Sequence, residues 1–372
     1  MMFTPSLDQS HEGFHQLDVV RGEPNPARWK AEMVVPSLSD EIAINQRRVE
    51  EVAELLAHFE FSLPEWDFPA KDRPLYPQFE GKEDLLRYFL ILSSINYEYF
   101  HLGLRDPSGE ALRFSDGVLS GAELATSRIT EFWDRLRDVA FLRDLPTAFA
   151  EKHLFEAQVP IPRLGNRVDC LRAVGTCLSV LERNGLGLSD VFEQYQGNPL
   201  SVARHLSDWI VGFKDEYLKR AQLYAAMVAG RFQDRADNPV DMNALGDLTV
   251  IADYRVPQTL IGWGILDISD RLRDHLNRLG CIREDSVWGQ GLRAGSIVAV
   301  DRFVEAVNLV RAQSDIPREP VTAIHADPVI WAVPRQYRKA IAKGDTALLK
   351  KLEGLFVPSR QVEFPQMPTI LH

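Results

Sequence analysis

A mainly α-helical fold with few short strands is what this sequence predicts, on three observations. Apolar residues recur at three- and four-residue steps through most of the chain, Pro and Gly separate the periodic stretches, and no alternation of strands with helices is long enough for a doubly wound sheet. At 372 residues, 45% hydrophobic and 26% charged, the chain can bury a large core and is too apolar to be disordered.

Residues 1–30, with Gly13, Gly22, Pro24 and Pro26 and little periodicity, read as a loosely ordered arm. Residues 31–372 read as a single helical domain, with a two-lobed arrangement left open. From Ile44 onward, Val49, Val52, Ala53, Leu56 and Phe59 mark an amphipathic helix. Four prolines (Pro64, Pro69, Pro74, Pro77) turn residues 63–79 into a wrapped loop. Residues 82–102, dense in Leu, Tyr, Phe and Ile, predict a helix buried on most of its surface. Helical periods return at 121–136, 167–182, 202–210 and 216–227, and again at 258–279, 292–312 and 335–342. Between these last two groups lies 248–252, a short, partly β-branched run that ends at Asp253.

Composition excludes several functions. A net charge of −11 repels polyanions, so a duplex nucleic acid is not an expected partner. Cys170, Cys177 and Cys281 are odd in number and form no CxxC pair, which gives neither a disulfide framework nor a zinc knuckle and fits a reducing cytoplasm. The first twenty residues lack an apolar core of the signal-peptide kind, and no long apolar run spans a membrane. With nine scattered His and no GxSxG, HExxH or Walker sequence, neither a metal nor a cofactor is expected.

Four clusters can carry chemistry. In LTVIADYRVPQ an apolar run delivers Asp253, Tyr254 and Arg255 just before Pro257 opens a helix; the plain alternative is that Asp253 caps that helix or pairs with Arg255. In FKDEYLKRAQL, Lys219, Arg220 and Gln222 occupy one helical turn, and Lys219 either reaches inward toward Asp253 or pairs with Asp215 on a solvated face. In AIHADPVIW, Asp327 either reads the polar edge of a base beside Trp331 or caps a helix. In INYEYFHL, Asn96 and His101 punctuate the buried helix, where they satisfy core partners more readily than they bind a ligand.

These residues resemble the queuosine salvage proteins, also called queuosine 5′-phosphate N-glycosylase/hydrolases. Seven consecutive positions, ADYRVPQ from Ala252 to Gln258, match the family motif, followed by LIGWGILDISDRLRDHL. Lys219-Arg220-Ala221-Gln222-Leu223, Asp327 with Trp331, and Asn96 before an aromatic pair match further motifs, with weaker agreement at 49–56, Ser120-Gly121, Ile161-Pro162 with Arg167, and 293–297. The resemblance covers about residues 28–338. Three positions depart from it. Ile251 stands where the family has a Phe able to stack on the base, Gly291-Leu292-Arg293 stands for Glu-Ile-Arg and lacks the acid, and the family's His before the Asn96 helix has no counterpart among the prolines and Tyr76.

The resemblance implies a helical fold like that of DNA glycosylases and hydrolysis of the N-glycosidic bond of queuosine 5′-monophosphate to release queuine for tRNA modification. A small nucleotide is then the partner. It implies Asp253 as the catalytic carboxylate, with Lys219, Ile251, Tyr254, Arg255, Asp327, Trp331 and Asn96 binding substrate. Asp327 would hold the amino-pyrimidine edge of the base. Lys219 or Arg255 would hold the phosphate or position Asp253, and the sequence does not choose between those jobs; Tyr254 is open between binding and packing. Two rivals stand beside this reading: a glycosylase for another modified nucleotide or nucleoside, and a non-catalytic nucleotide-binding relative. Oligomeric state is not legible.

Overall fold

Asn25 starts the first helix of the computed structural model, which describes residues 24–66, 75–77, 81–105, 111–279, 281–314 and 318–357. Most of the expected arm, residues 1–23, lies outside the described residues, as does much of the Pro-rich loop. The arm's last residues are helical. The Asn25 Oδ1 accepts from Ala27 N at 2.9 Å while its amide donates to Gln222 and to the Asp247 carbonyl, which caps α1 (Pro26–Ser37) and ties it to the rest of the chain. Strand β1 (Ile42–Ile44) and α2 (Gln46–Leu56) follow, the latter burying the predicted Val49, Val52, Ala53 and Leu56.

Helix α3 (Lys82–Ser94) buries Leu85, Leu86 and every side chain from Tyr88 to Ser94, as a helix apolar all round must. It stops well short of residue 102. The chain turns instead through Glu98, at a φ of 34°, into the antiparallel hairpin of β2 (Phe100–Arg105) and β3 (Ala111–Arg113). Distant cations claim the carbonyls at this turn. Arg220 donates to Ser94 O, Lys219 to Asn96 O, and the wholly buried Arg167 to Ile95, Tyr97 and Glu98 O. Asn96 therefore sits in a turn and His101 on β2, rather than on a buried helix as the sequence suggests.

Around α3 pack α4 (Ala122–Glu131), α5 (Trp133–Leu136), α6 (Val139–Arg143), α7 (Thr147–Phe149), α8 (Leu164–Arg183), α9 (Leu188–Gln194), α10 (Pro199–Trp209) and α11 (Lys219–Phe232), forming one apolar cluster. Leu218, at a φ of 53°, starts α11 later than the expected 216. A second apolar cluster joins α1 and α2 to α12 (Arg255–Gly262), β4 (Leu266–Ile268), α13 (Asp270–Leu279), α14 (Val287–Ala312), α15 (Ala323–Lys343) and α16 (Thr346–Lys351), with Trp263 fully buried in it. The predicted helix over 258–279 is split because Gly264, at a φ of 76°, turns the chain into β4, which pairs antiparallel with β1 in the register Ile42 to Ile268. The fold is mainly α.

Residues 248–252 run extended between the two clusters. Leu248 and Ile251 belong to the first, Val250 and Ala252 to the second. This segment carries the chain to Asp253.

Close helix packing gives a direct test of the first cluster. A Cβ on Gly175 would lie 2.3 Å from Arg143 N and 2.6 Å from its Cα, backbone atoms that can retreat only if α6 and α8 part. Gly175→Ala is expected to lose about 1–3 kcal/mol in urea denaturation. Gly165→Ala, on the same helix with nothing within 4 Å, is expected to lose none. Equal midpoints for the two variants would contradict the packing described.

Candidate active site

An extended segment with no strand beside it needs hydrogen-bond partners from elsewhere, and here they are side chains. Gln222, one turn into α11, accepts from Thr249 N at 2.8 Å and donates to Thr249 Oγ1 at 3.0 Å. Asp327 Oδ1, from α15, accepts from Ile251 N at 3.0 Å. Arg293 Nε, from α14, donates to Ala252 O at 3.1 Å. These bonds hold the segment from three helices and fix where Asp253 emerges.

Asp253 then closes the start of α12. Its Oδ1 accepts from Arg255 N at 2.7 Å and Val256 N at 3.3 Å, and its Oδ2 accepts from the indole Nε1 of Trp331 at 3.2 Å. The capping role suggested as the plain alternative is therefore real, and it coexists with a third donor from another helix. Three N–H donors are how an ionised carboxylate is held. Trp331 is itself braced by the Arg335 guanidinium, 3.9 Å from its ring centre.

Asp327 lies inside α15 and caps nothing, contrary to the plain reading of its sequence. Burial, and next the charge of Asp253, push its carboxyl up to about 8, against the Ile251 N–H and Lys219, which pull it down. At neutral pH it holds a proton. Lys219 does not pair with Asp215 through its ammonium. Asp215 accepts from the Lys219 backbone N at 2.8 Å, and the Lys219 Nζ donates to Asn96 O at 2.7 Å. Burial lowers the Lys219 ammonium below its ordinary range, helped by Arg220 and Arg293 and opposed by the charges of Asp253 and Asp215. Two of its three N–H bonds are left beyond the one to Asn96.

The remaining sequence-predicted residues are placed as follows. Ile251 is buried and contributes its N–H, whereas Asn96 contributes its main-chain carbonyl. Tyr254 stands edge-on to Phe100 at 5.2 Å between ring centres, and burial together with the Asp253 charge raises its phenol. Arg255 is buried, donates to Gln258 at 3.4 Å and lies 5.8 Å from the Trp331 ring centre. Lys219 also lines a cavity of about 510 Å³ with Lys30, Lys214, Arg220, Glu284 and Arg293.

Sequence reasoning gave no role to Glu284, placed Arg293 only within a weakly matching stretch, and offered Asp215 only as a partner for Lys219. Arg293 joins both carboxylates, with Nη2 at 2.6 Å from Asp215 and Nη1 at 2.5 Å from Glu284. Its signal was a lone cation in the small, apolar run Gly291 to Ser296. Where the family's acid is missing, Gly291 packs against the side-chain ends of Leu38 and Ile42, which a Cβ there would have to displace. Among the described residues no cluster of His, Cys, Asp or Glu could hold a metal ion, and no helix is long and apolar enough to cross a membrane.

The helical chain thus brings a helix-capping aspartate, an aspartate that keeps its proton, a lysine and an indole together around one segment. The queuosine salvage protein family model matches residues 75–352, and the chain belongs to that family. Among curated relatives, a queuosine 5′-phosphate N-glycosylase/hydrolase of Sphaerobacter thermophilus is 27% identical over 276 residues, which is 71% of this chain and 80% of the relative. Proteins of the same name from Schizosaccharomyces pombe and Dictyostelium discoideum are 29% and 24% identical, over 41% and 40% of this chain and only 37% and 48% of their own lengths.

The Asp327 carboxyl makes stability pH-dependent in a defined direction. Unfolded, it titrates near its ordinary value of about 4; folded, it titrates near 8. The native state therefore keeps a proton the unfolded chain loses, and this contribution is lost as pH rises through about 8. Asp327→Asn is expected to melt higher than wild type by a margin that widens from about pH 4 to about pH 8 and is constant above it. A margin independent of pH would show that Asp327 is an ordinary carboxylate.

Proposed function

We propose that this chain hydrolyses the N-glycosidic bond of queuosine 5′-phosphate and releases queuine. The observation that carries the reading is the Asp253 carboxylate, fixed by three N–H donors beside a protonated Asp327 and the Lys219 ammonium, in a chain of the queuosine salvage family.

The bond from C1′ to the base nitrogen breaks with its electron pair going to the base, and the sugar becomes cationic in character. Asp253 supplies a fixed negative charge against that cation, and because its hydrogen bonds are made beforehand, it does not reorganise as charge develops. A water oxygen bonds to C1′. One water proton stays on the new hydroxyl, and the other replaces the proton given to the base. A 7-deazapurine has carbon at ring position 7 and takes no proton there, so the leaving electrons are neutralised elsewhere on the base. Asp327, which holds a proton at neutral pH, is the donor in this reading. In holding the amino-pyrimidine edge, which the resemblance implies for it, Asp327 then acts as a neutral acid.

Lys219 is favoured over Arg255 for the phosphate. Arg255 is folded against Gln258 and the Trp331 ring, whereas Lys219 faces the cavity beside Lys214 and Arg220. The acids on that cavity wall are engaged, Glu216 by Lys30, Asp215 and Glu284 by Arg293, and Asp285 by Arg283. Lys214, Lys219 and Arg220 are left to meet an anion.

Chromatography of base release from queuosine 5′-monophosphate, the unphosphorylated nucleoside and guanosine monophosphate tests the reading. Queuine is expected from the first, with Asp253→Asn lower by at least about a hundredfold. Activity is expected to fall as pH rises through about 8, where Asp327 loses its proton, and Asp327→Asn to be slow with that limb removed. Release from guanosine monophosphate alone would mean a glycosylase of other specificity, and a thermal shift with nucleotide but no release from any substrate would mean a binding protein.

A further inference from the structure

We propose that Arg293 is a positioning residue for the reaction: its guanidinium bonds at once to the segment that delivers Asp253 and to the acid that starts the helix delivering Lys219. The inference rests on the functional reading above, and it concerns a residue that touches neither carboxylate oxygen of Asp253 nor the Lys219 ammonium.

The geometry is a clamp with three arms. Nε donates to Ala252 O, the carbonyl directly before Asp253, at 3.1 Å. Nη2 donates to Asp215 Oδ2 at 2.6 Å, and that same oxygen accepts the Lys219 backbone N–H at 2.8 Å. Asp215 Oδ1 accepts Tyr217 N at 3.2 Å, so Asp215 organises the turn that leads into α11 through left-handed Leu218. Nη1 takes Glu284 as its third partner. One planar group therefore links residue 252 to residue 219 through a single intervening carboxylate.

The clamp is rigid for physical reasons. Arg293 is only 3% exposed, and its guanidinium carbon lies 4.7 Å from the centre of the Tyr217 ring. Asp215 lies well below the usual carboxylate range, since the charge and hydrogen bond of Arg293 outweigh burial. A buried cation held by two carboxylates and a carbonyl is costly to break and keeps one geometry. A lysine at 293 would keep the charge but could not reproduce the fork, because an ammonium offers a point charge rather than donors in a fixed plane. Moving Asp253 relative to Lys219 by about 1 Å is enough to cost on the order of a hundredfold in rate.

Glu284 separates this role from general charge balance. It bonds to Arg293 but to neither the 252 carbonyl nor α11. Loss of Glu284 leaves the two positioning arms intact, whereas loss of Asp215 severs one of them.

The test compares Arg293→Lys, Arg293→Ala, Asp215→Asn and Glu284→Gln with Arg311→Ala. Arg311 also donates to several carbonyls, those of Ala57, Phe59 and Glu319, away from the site, and serves as the structural control. Arg293→Lys and Asp215→Asn are expected to lower kcat at least about thirtyfold with KM within about threefold, with Glu284→Gln losing less than Asp215→Asn, while Arg311→Ala stays within about threefold of wild-type kcat. Because Arg293 lines the 510 Å³ cavity, truncation to Ala opens its place to small ions, and added guanidinium at non-denaturing concentration should restore part of kcat where methylammonium does not. Equal losses in the Arg293 and Arg311 variants, or a loss in KM alone, would overturn the proposal.

A second readout needs no turnover. Acetylation of Lys219 against pH, read by peptide mass spectrometry, should shift its midpoint upward in Arg293→Ala, where a neighbouring positive charge is gone, and not in Arg311→Ala. Failure of wild-type protein to release base would sink the functional reading while leaving this measurement to decide on Arg293. An unshifted midpoint would overturn the clamp itself.

Discussion

Everything at the candidate site depends on one constraint: residues 248–252 are extended and buried, and no strand among the described residues pairs with them. A backbone in that position must be hydrogen-bonded, and the cost of leaving it bare is comparable to losing several stabilising contacts. Gln222, Asp327 and Arg293 meet the requirement from α11, α15 and α14. The groups that satisfy the main chain are thus neighbours of the groups that can do chemistry. Asp327 is both at once, since the oxygen that receives the Ile251 N–H belongs to the carboxyl that keeps a proton at neutral pH.

This arrangement explains how two aspartates so close together differ in character. Asp253 sits at the start of a helix with two backbone N–H groups and an indole directed at it. Asp327 sits within a helix, desolvated, with one backbone donor and the Asp253 charge nearby. Burial and the neighbouring charge thus leave Asp327 holding a proton beside an aspartate that is held by N–H donors. The same logic separates the cations. Arg167 is taken up by the carbonyls that follow α3 and Arg293 by two carboxylates, whereas Lys219 gives one of its three N–H bonds to Asn96 O.

Much of this was legible in the sequence, and the gaps have physical causes. The local pattern of LTVIADYRVPQ indicated an apolar run that stops at an acid before a helix, which is how 248–257 are built. Helix periods located α2, α8, α10, α11 and α14, because each presents a regular apolar face to one of the two clusters. The end of α3 was not legible. Its carbonyls are claimed by Arg167 and Arg220, residues 72 to 126 positions further along, and no local signal reports such partners. The break at Gly264 was hidden for a related reason, since β4 exists only because β1 is there to pair with it. Arg293 showed only as one position of a weakly matching stretch. Its carboxylate partners come from other parts of the chain.

The central claim is that Asp327 carries a proton at neutral pH because it is buried beside a charged Asp253. Carbon-13 NMR of aspartate carboxyls, followed against pH in the unliganded protein, reads this directly, with Asp327→Asn assigning the signal. The account predicts one carboxyl resonance with a midpoint near 8, absent in that variant and moved to lower pH in Asp253→Asn. An Asp327 resonance that titrates below about 5, in the ordinary carboxylate range, would contradict it.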